Sequence, residues 1–298
     1  MNPEISSTDR PVDAVPSSDL LGRIAAALQP PLAAALEGDG PLRRPIKDIL
    51  HGTFLGHPLH PMLTDIPIGA WSITALFDAL EVAGAERYRD AADLSLVAGA
   101  LGAVASALTG LADWSDTKDE PQRTGMLHAL VNSSALACYL GSFAARRAGA
   151  RGAGIAAAFG GYALLIAGAY LGGELSFGMQ LGVKHTAIPI EPPKTFVRVH
   201  DGADLDPGTM VPGDAHGVPV LLSEHDGKLC AVSGVCTHRG APLADGKVED
   251  GCVRCPWHGS RFALETGAVV EGPATFPLAH FETKRSKGGI AVRPHRLG

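Results

Sequence analysis

The chain has 298 residues, 46% of them hydrophobic, and a formal net charge of −6 from 25 basic and 31 acidic side chains. That length allows two domains, and acidity with no basic stripe excludes a nucleic-acid-binding protein. Five cysteines are too few and odd in number, which excludes a disulfide framework.

Residues 1–18 carry neither a positive leader nor an apolar run, so they are expected to be a disordered N-terminus and not a cleavable signal. Residues 19–61 begin Ala- and Leu-rich, and Pro30-Pro31 predicts a break into a short pair of surface helices. A His-rich lead-in follows, with His51, His57 and His60.

Composition shifts after Pro61. Residues 94–112 and 152–173 carry no charge, and 124–145 hold only His128 apart from Cys138 and Tyr139. Each is long enough to cross a hydrocarbon core of about 30 Å as a helix. A fourth candidate, 66–85, is interrupted by Asp78 and Glu81, which are expected to snorkel toward the near interface. The expected fold is therefore multi-domain: an α-helical four-helix transmembrane bundle at 62–183, then an all-β domain. A buried Ala-rich soluble bundle is the alternative. No internal repeat is evident.

Four spans put both termini and the middle loop on one side. That side receives His51, His57, His60, Asp65, Asp113, Trp114, Asp116, His128, Glu174 and His185, and the other receives no histidine. Lys and Arg near the spans are nearly balanced between the sides, so the positive-inside rule does not decide orientation. The lack of an export leader predicts a multi-pass protein of a bacterial cell membrane with its C-terminal domain in the cytoplasm.

The stretch from His51 through His57-Pro58-Leu59-His60-Pro61 to Asp65-Ile66-Pro67-Ile68-Gly69 resembles the signature of a family of four-span bacterial membrane proteins of unknown function. That resemblance implies the architecture and no activity. On the residues alone, His60 and His128 are the first choice for holding a haem b, because both sit near the same end of different helices; His57 and His185 are alternates. A mononuclear metal site with Asp65, Asp113 or Glu174, a quinol pocket, and histidines that only shape helix ends are the other readings.

Residues 184–194 read as a Pro-rich linker. In 195–298, short strands are predicted around turns at Asp226-Gly227, Asp250-Gly251 and Thr266-Gly267. Cys236-Thr237-His238 and Cys255-Pro256-Trp257-His258 each pair one thiol with one imidazole. Two thiolates and two imidazoles suit a 2Fe-2S cluster with mixed ligation; zinc accepts the same donors, but its sites place cysteines together in one segment and histidines together in another. Cys138, Cys230 and Cys252 are expected to be packed core thiols.

The surroundings, Val235 to Leu243 and Cys255 to Phe262, resemble the two cluster loops of Rieske ferredoxins, and Gly267 and Gly272-Pro273-Ala274 resemble that family's turn and proline loop. The resemblance implies a Rieske 2Fe-2S domain in which Cys236 and Cys255 hold one iron and His238 and His258 the other. Trp257 and Pro242 would shield the cluster, and Ser260 would offer a hydroxyl to a sulfur. Ala241 and Trp257 stand where the Rieske proteins of cytochrome bc complexes have a further cysteine, and Phe262 where they have tyrosine. The missing hydroxyl implies a potential nearer about −150 mV than +300 mV. No catalytic residue is expected. The chain would be a membrane-bound one-electron carrier exchanging with haem b or quinone in its membrane domain, or a ferredoxin on a structural anchor serving a soluble reductase or oxygenase. A redox partner protein or quinone and the lipid bilayer are the implied partners. Nothing in the sequence sets the oligomeric state.

Overall fold

The computed structural model describes residues 19–36, 43–186, 195–202, 204–206 and 208–294. The expected disordered N-terminus and most of the linker lie outside these residues. Contacts divide the chain into two units: α1 with Leu59–Leu181, and residues up to Pro58 that follow α1 with Gly182 onward. The lead-in segment 19–61 is thus shared between them.

The first unit is helical. Helix α1 (Asp19–Leu36) is followed in this unit by α3 (Leu59–Val82), α4 (Arg89–Ser115), α5 (Asp119–Arg147) and α6 (Arg151–Gly173), with one π turn over Glu174–Gly178. Contrary to the predicted break, α1 runs through Pro30-Pro31 as one helix. Tertiary contacts hold it: Leu21 and Ala25 pack on Trp114 and Met126, and Gln29 Nε2 donates to the carbonyls of Trp114 and Thr117, each at 2.8 Å.

The four long helices pack as hairpins, α3 with α4 and α5 with α6, and α4 also meets α5 and α3 meets α6. Two of them, within Glu86–Ser115 and Arg151–Gly178, are long and apolar enough to cross a membrane. Helices α3 and α5 carry most of the polar interior. Trp71 of α3 stacks on Tyr139 of α5, centroids 3.9 Å apart at 11°. One step further along, Asp78 pairs with Arg146, both buried. Asp78 therefore does not snorkel, because its counter-ion arrives from the other hairpin. Arg146 also reaches Asp93 at 2.9 Å, and Arg151 holds Glu81 through two hydrogen bonds of 2.6 and 2.7 Å. With Arg89 on Glu81 at 2.8 Å, three arginines and three carboxylates balance at one end of the unit.

These pairs expose an internal duplication. Asp78 and Arg146 are 68 positions apart, and His60 with His128 and Trp71 with Tyr139 keep the same offset along two parallel helices. Helices α4 and α6 correspond with an offset of 62, which relates Arg89 to Arg151, Gly99 to Gly161 and Gly110 to Gly172. The partners differ in chemistry at most positions, so the repeat is a repeat of contacts more than of letters.

The second unit joins α2 (Arg43–His51) and the turn that follows it to a β domain. Its strands are β1 (Val197–His200), β2 (Met210–Asp214), β3 (Pro219–His225), β4 (Lys228–Ser233), β5 (Lys247–Glu249), β6 (Cys252–Arg254), β7 (Arg261–Ala263), β8 (Val269–Glu271), β9 (Phe281–Ser286) and β10 (Gly289–Pro294). They form three antiparallel sheets, ordered β1-β10-β9, β2-β3-β4 and β5-β6-β7-β8. Asp226-Gly227 and Asp250-Gly251 are two-residue hairpin turns with positive φ at both positions, the geometry that Asp-Gly favours. One core cluster, including Leu221, Val232, Val253, Phe262 and Leu264, closes around Cys236 and Cys255.

Candidate metal centre

Two loops of the β domain carry the candidate ligands. One leaves β4 and holds Cys236 and His238; the other joins β6 to β7 and holds Cys255 and His258. They are built alike. In the first, Cys236 N–H donates to Ala241 O at 2.9 Å and Gly240 N–H to Cys236 O at 3.0 Å. In the second, Cys255 N–H donates to Ser260 O at 2.8 Å and Gly259 N–H to Cys255 O at 3.2 Å. Gly240 and Gly259 both sit at φ 75°, a left-handed conformation that closes each loop and suits glycine.

The loops bring their donors together in pairs. Both thiols are buried and hydrogen-bonded to each other, and the two half-buried imidazoles lie 5.0 Å apart between centroids at 85°. Backbone N–H groups of His238 and Arg239 point at the Cys236 sulfur, and those of Trp257 and His258 at Cys255. The hydrogen bond from Cys236 lowers the Cys255 thiol to about 6, helped by these amides against burial; the same bond and burial raise Cys236. The pair thus shares one proton and gives up the other readily. Burial, with His258 and His51 nearby, holds His238 well below its usual range and keeps it neutral.

Iron ligation needs thiolates and neutral imidazoles, and the shifts of Cys255 and His238 run in that direction while that of Cys236 opposes it. The arrangement is two-centred: among the described residues, no three His, Cys, Asp or Glu side chains could share one ion. Thiol lies with thiol and imidazole with imidazole, a pairing that suits two adjacent irons, one with sulfur and one with nitrogen ligands.

A third segment closes over the loops. Thr237 Oγ1 donates to Phe276 O at 2.6 Å, and Ala274 N–H donates to the buried Ser260 Oγ at 3.0 Å. Pro242 and Trp257 are both exposed, Trp257 by 57%, whereas Ala241 and Leu243, on either side of Pro242, are buried. Trp257 stands beside His258, ring centroids 6.4 Å apart. Phe262 is fully buried, and the Cys230 and Cys252 thiols are buried as expected.

Sequence reasoning missed a further cover. Asp48 of α2 accepts the Gly272 N–H at 2.8 Å, Arg44 pairs with Glu271 at 3.0 Å, and the His57 ring meets the edge of Phe276 at 5.6 Å. His51 is buried and close enough to act on His238. On the other loop, His185 N–H donates to Thr237 O at 3.0 Å. His57 and His185 therefore belong with the Cys/His loops, whereas His60 and His128 face each other in the helical unit. Asp65 is exposed.

Compared with known proteins, residues 195–282 match the family described as Rieske [2Fe-2S] domain, and residues 56–185 match the family described as predicted membrane protein, DUF2231. Apoptosis-inducing factor 3 of Mus musculus is 37% identical over 90 residues, 30% of this chain and only 15% of that protein. Ferredoxin CarAc of Metapseudomonas resinovorans is 30% identical over 98 residues, 33% of this chain and 92% of that ferredoxin. Among solved structures, the ferredoxin of carbazole 1,9a-dioxygenase from Nocardioides aromaticivorans IC177 is 29% identical, covering 34% of this chain and all of that one, with a TM-score of 0.32.

Proposed function

From a chain whose residues 195–282 belong to the Rieske 2Fe-2S family and whose residues 56–185 are a DUF2231 membrane-protein domain, we propose a membrane-held one-electron carrier. Cys236 and Cys255 would hold one iron and His238 and His258 the other, and the bound cluster would supply one-electron chemistry. The observation that carries this reading is the pairing of thiol with thiol and imidazole with imidazole across two matching loops. Ser260 and the loop amides direct N–H and O–H groups at the sulfurs and set the potential.

All four helices α3–α6 cross a bacterial cell membrane in this reading, with both ends and the Rieske domain on the cytoplasmic side. Burial in the helical unit supports it. Leu94, Leu101 and Leu108, one face of α4, are more than half exposed, as are Leu140 and Ile166, while Thr74, Asp78, Ser142 and Arg146 are buried. Polar groups inside and large aliphatic side chains outside suit lipid as the surrounding medium. The electron passes to or from a redox centre in that domain, haem b or quinone.

A second reading is favoured by Trp257. A mostly exposed tryptophan beside His258 is a ready contact for a soluble reductase or oxygenase, with the helices serving only as anchor.

The test is electron paramagnetic resonance on the full chain in detergent-solubilised membranes. The reduced protein is expected to show the low average g-value of mixed Cys/His ligation, and Cys236→Ser to abolish it. Zinc without iron on metal analysis, or a signal that survives Cys236→Ser, would overturn the ligand assignment.

A further inference from the structure

The helical unit contains a second pair of imidazoles whose arrangement follows from the duplication. We infer that His60 and His128 are the two axial ligands of a single b-type haem iron. The inference rests on reading this unit as the membrane partner of the cluster, and names the cofactor that the partner would use.

The two histidines are equivalent by the offset that relates α3 to α5. Each ring is fixed in the same way: His60 Nδ1–H donates to Ser106 O at 2.8 Å, and His128 Nδ1–H to Gly168 O at 3.0 Å. Ser106 and Gly168 are themselves equivalent in α4 and α6, related by the offset of 62. A backbone carbonyl on Nδ1 sets the tautomer and leaves the Nε2 lone pair as the metal donor, which is how ligating histidines are usually oriented. Asn132 Nδ2 lies 3.3 Å from both ring nitrogens of His128, a distance pattern that puts it over the ring face and off the Nε2 lone pair.

The spacing fits one iron. The ring centroids are 6.4 Å apart. An ion about 2 Å from each Nε2 sets two imidazole centroids about 6.3 Å apart. Two imidazole donors suit haem, because a macrocycle fills the remaining positions of an iron that takes only two protein ligands.

Small residues make room at equivalent places. A Cβ on Gly110 would lie 2.7 Å from the His60 ring, and one on Gly172 would lie 3.2 Å from the His128 ring. The bare backbone of α4 and α6 at these two positions lets each imidazole seat against the neighbouring helix of its own hairpin.

The test uses the full chain expressed with a haem precursor and purified in detergent. Equimolar haem with sharp b-type bands on reduction is expected. The rings are near perpendicular, at 83°. The ferric protein should therefore give the strongly anisotropic low-spin resonance of crossed imidazole planes instead of the rhombic signal of parallel ones. His60→Ala and His128→Ala should each remove the bands while the Rieske resonance persists. Should either variant fail to accumulate, His60→Met and His128→Met are to be read the same way, with a shifted, weakened spectrum expected. A Rieske signal without b-type bands, even after haemin is added, overturns the haem site and leaves the cluster reading intact. Bands that survive all four variants also overturn it, as haem bound elsewhere. Bands that depend on both histidines in a protein lacking the cluster would support the site and sink the cluster reading.

Discussion

Replacing Ser260 with alanine should lower the cluster potential and loosen the segment over it, for two separable reasons. Ser260 is fully buried, and its oxygen already accepts the Ala274 N–H at 3.0 Å. Its own proton therefore remains to be given, and in the proposed site a cluster sulfur is the acceptor. A hydrogen bond to a charged acceptor contributes about 1.5–3 kcal/mol. The bond strengthens when the cluster gains an electron, and if about half of it is realised on reduction, roughly 0.8–1.5 kcal/mol favours the reduced state. At 59 mV per tenfold change for one electron, Ser260→Ala should drop the potential by roughly 35–65 mV. The second effect is on stability. The Ala274 N–H loses its acceptor in a dry site, at a cost of about 1–3 kcal/mol. A redox titration followed by electron paramagnetic resonance reads the first effect, and thermal loss of the visible circular dichroism reads the second. A potential within about 10 mV of the parent, in a protein that keeps its cluster, would refute the hydroxyl's role as donor to sulfur.

The buried pair in the helical unit makes a prediction of opposite symmetry. Arg146→Leu should destabilise the detergent-solubilised protein by about 3–5 kcal/mol, because it leaves buried Asp78 without its ion-pair partner, and Asp78→Leu by less, because Arg146 keeps Asp93. The double substitution should recover most of the loss in thermal unfolding, and a double mutant as unstable as the sum of the singles would show the two side chains act independently. Asp48→Ala removes the acceptor of the Gly272 N–H. Hydrogen exchange at Gly272 should accelerate by about tenfold or more, the factor expected for losing a charge-assisted bond. Exchange unchanged from the parent would show that α2 does not hold this loop.

The cluster loops were legible because their information is local. Each loop carries its own Cys, His and closing glycine within a few residues, and Asp-Gly turns mark the hairpins that present them. What stayed hidden depends on partners far apart in sequence. Asp48 meets Gly272 across 224 positions, so nothing near α2 announces that it belongs with the β domain. Pro30-Pro31 gave a valid local signal for a break, and Gln29, held by carbonyls of the α4–α5 turn, outweighs it.

The duplication escaped notice for a chemical reason that also bears on hydropathy. Most of its equivalent positions differ in residue type, Asp78 against Arg146 among them, so comparison by residue type sees mismatch where the contacts see correspondence. The same division of labour explains which helices pass as membrane spans. Helices α4 and α6 offer glycines inward and large aliphatic side chains outward, and they qualify by composition. Helices α3 and α5 supply the inner ladder of imidazoles, stacked rings and paired charges. A polar face satisfied by a partner inside the unit presents nothing polar to lipid, so its cost is met by pairing and not by hydropathy. If all four helices cross as proposed, each hairpin contributes one helix of each kind, and a test that scores helices singly undercounts them by half.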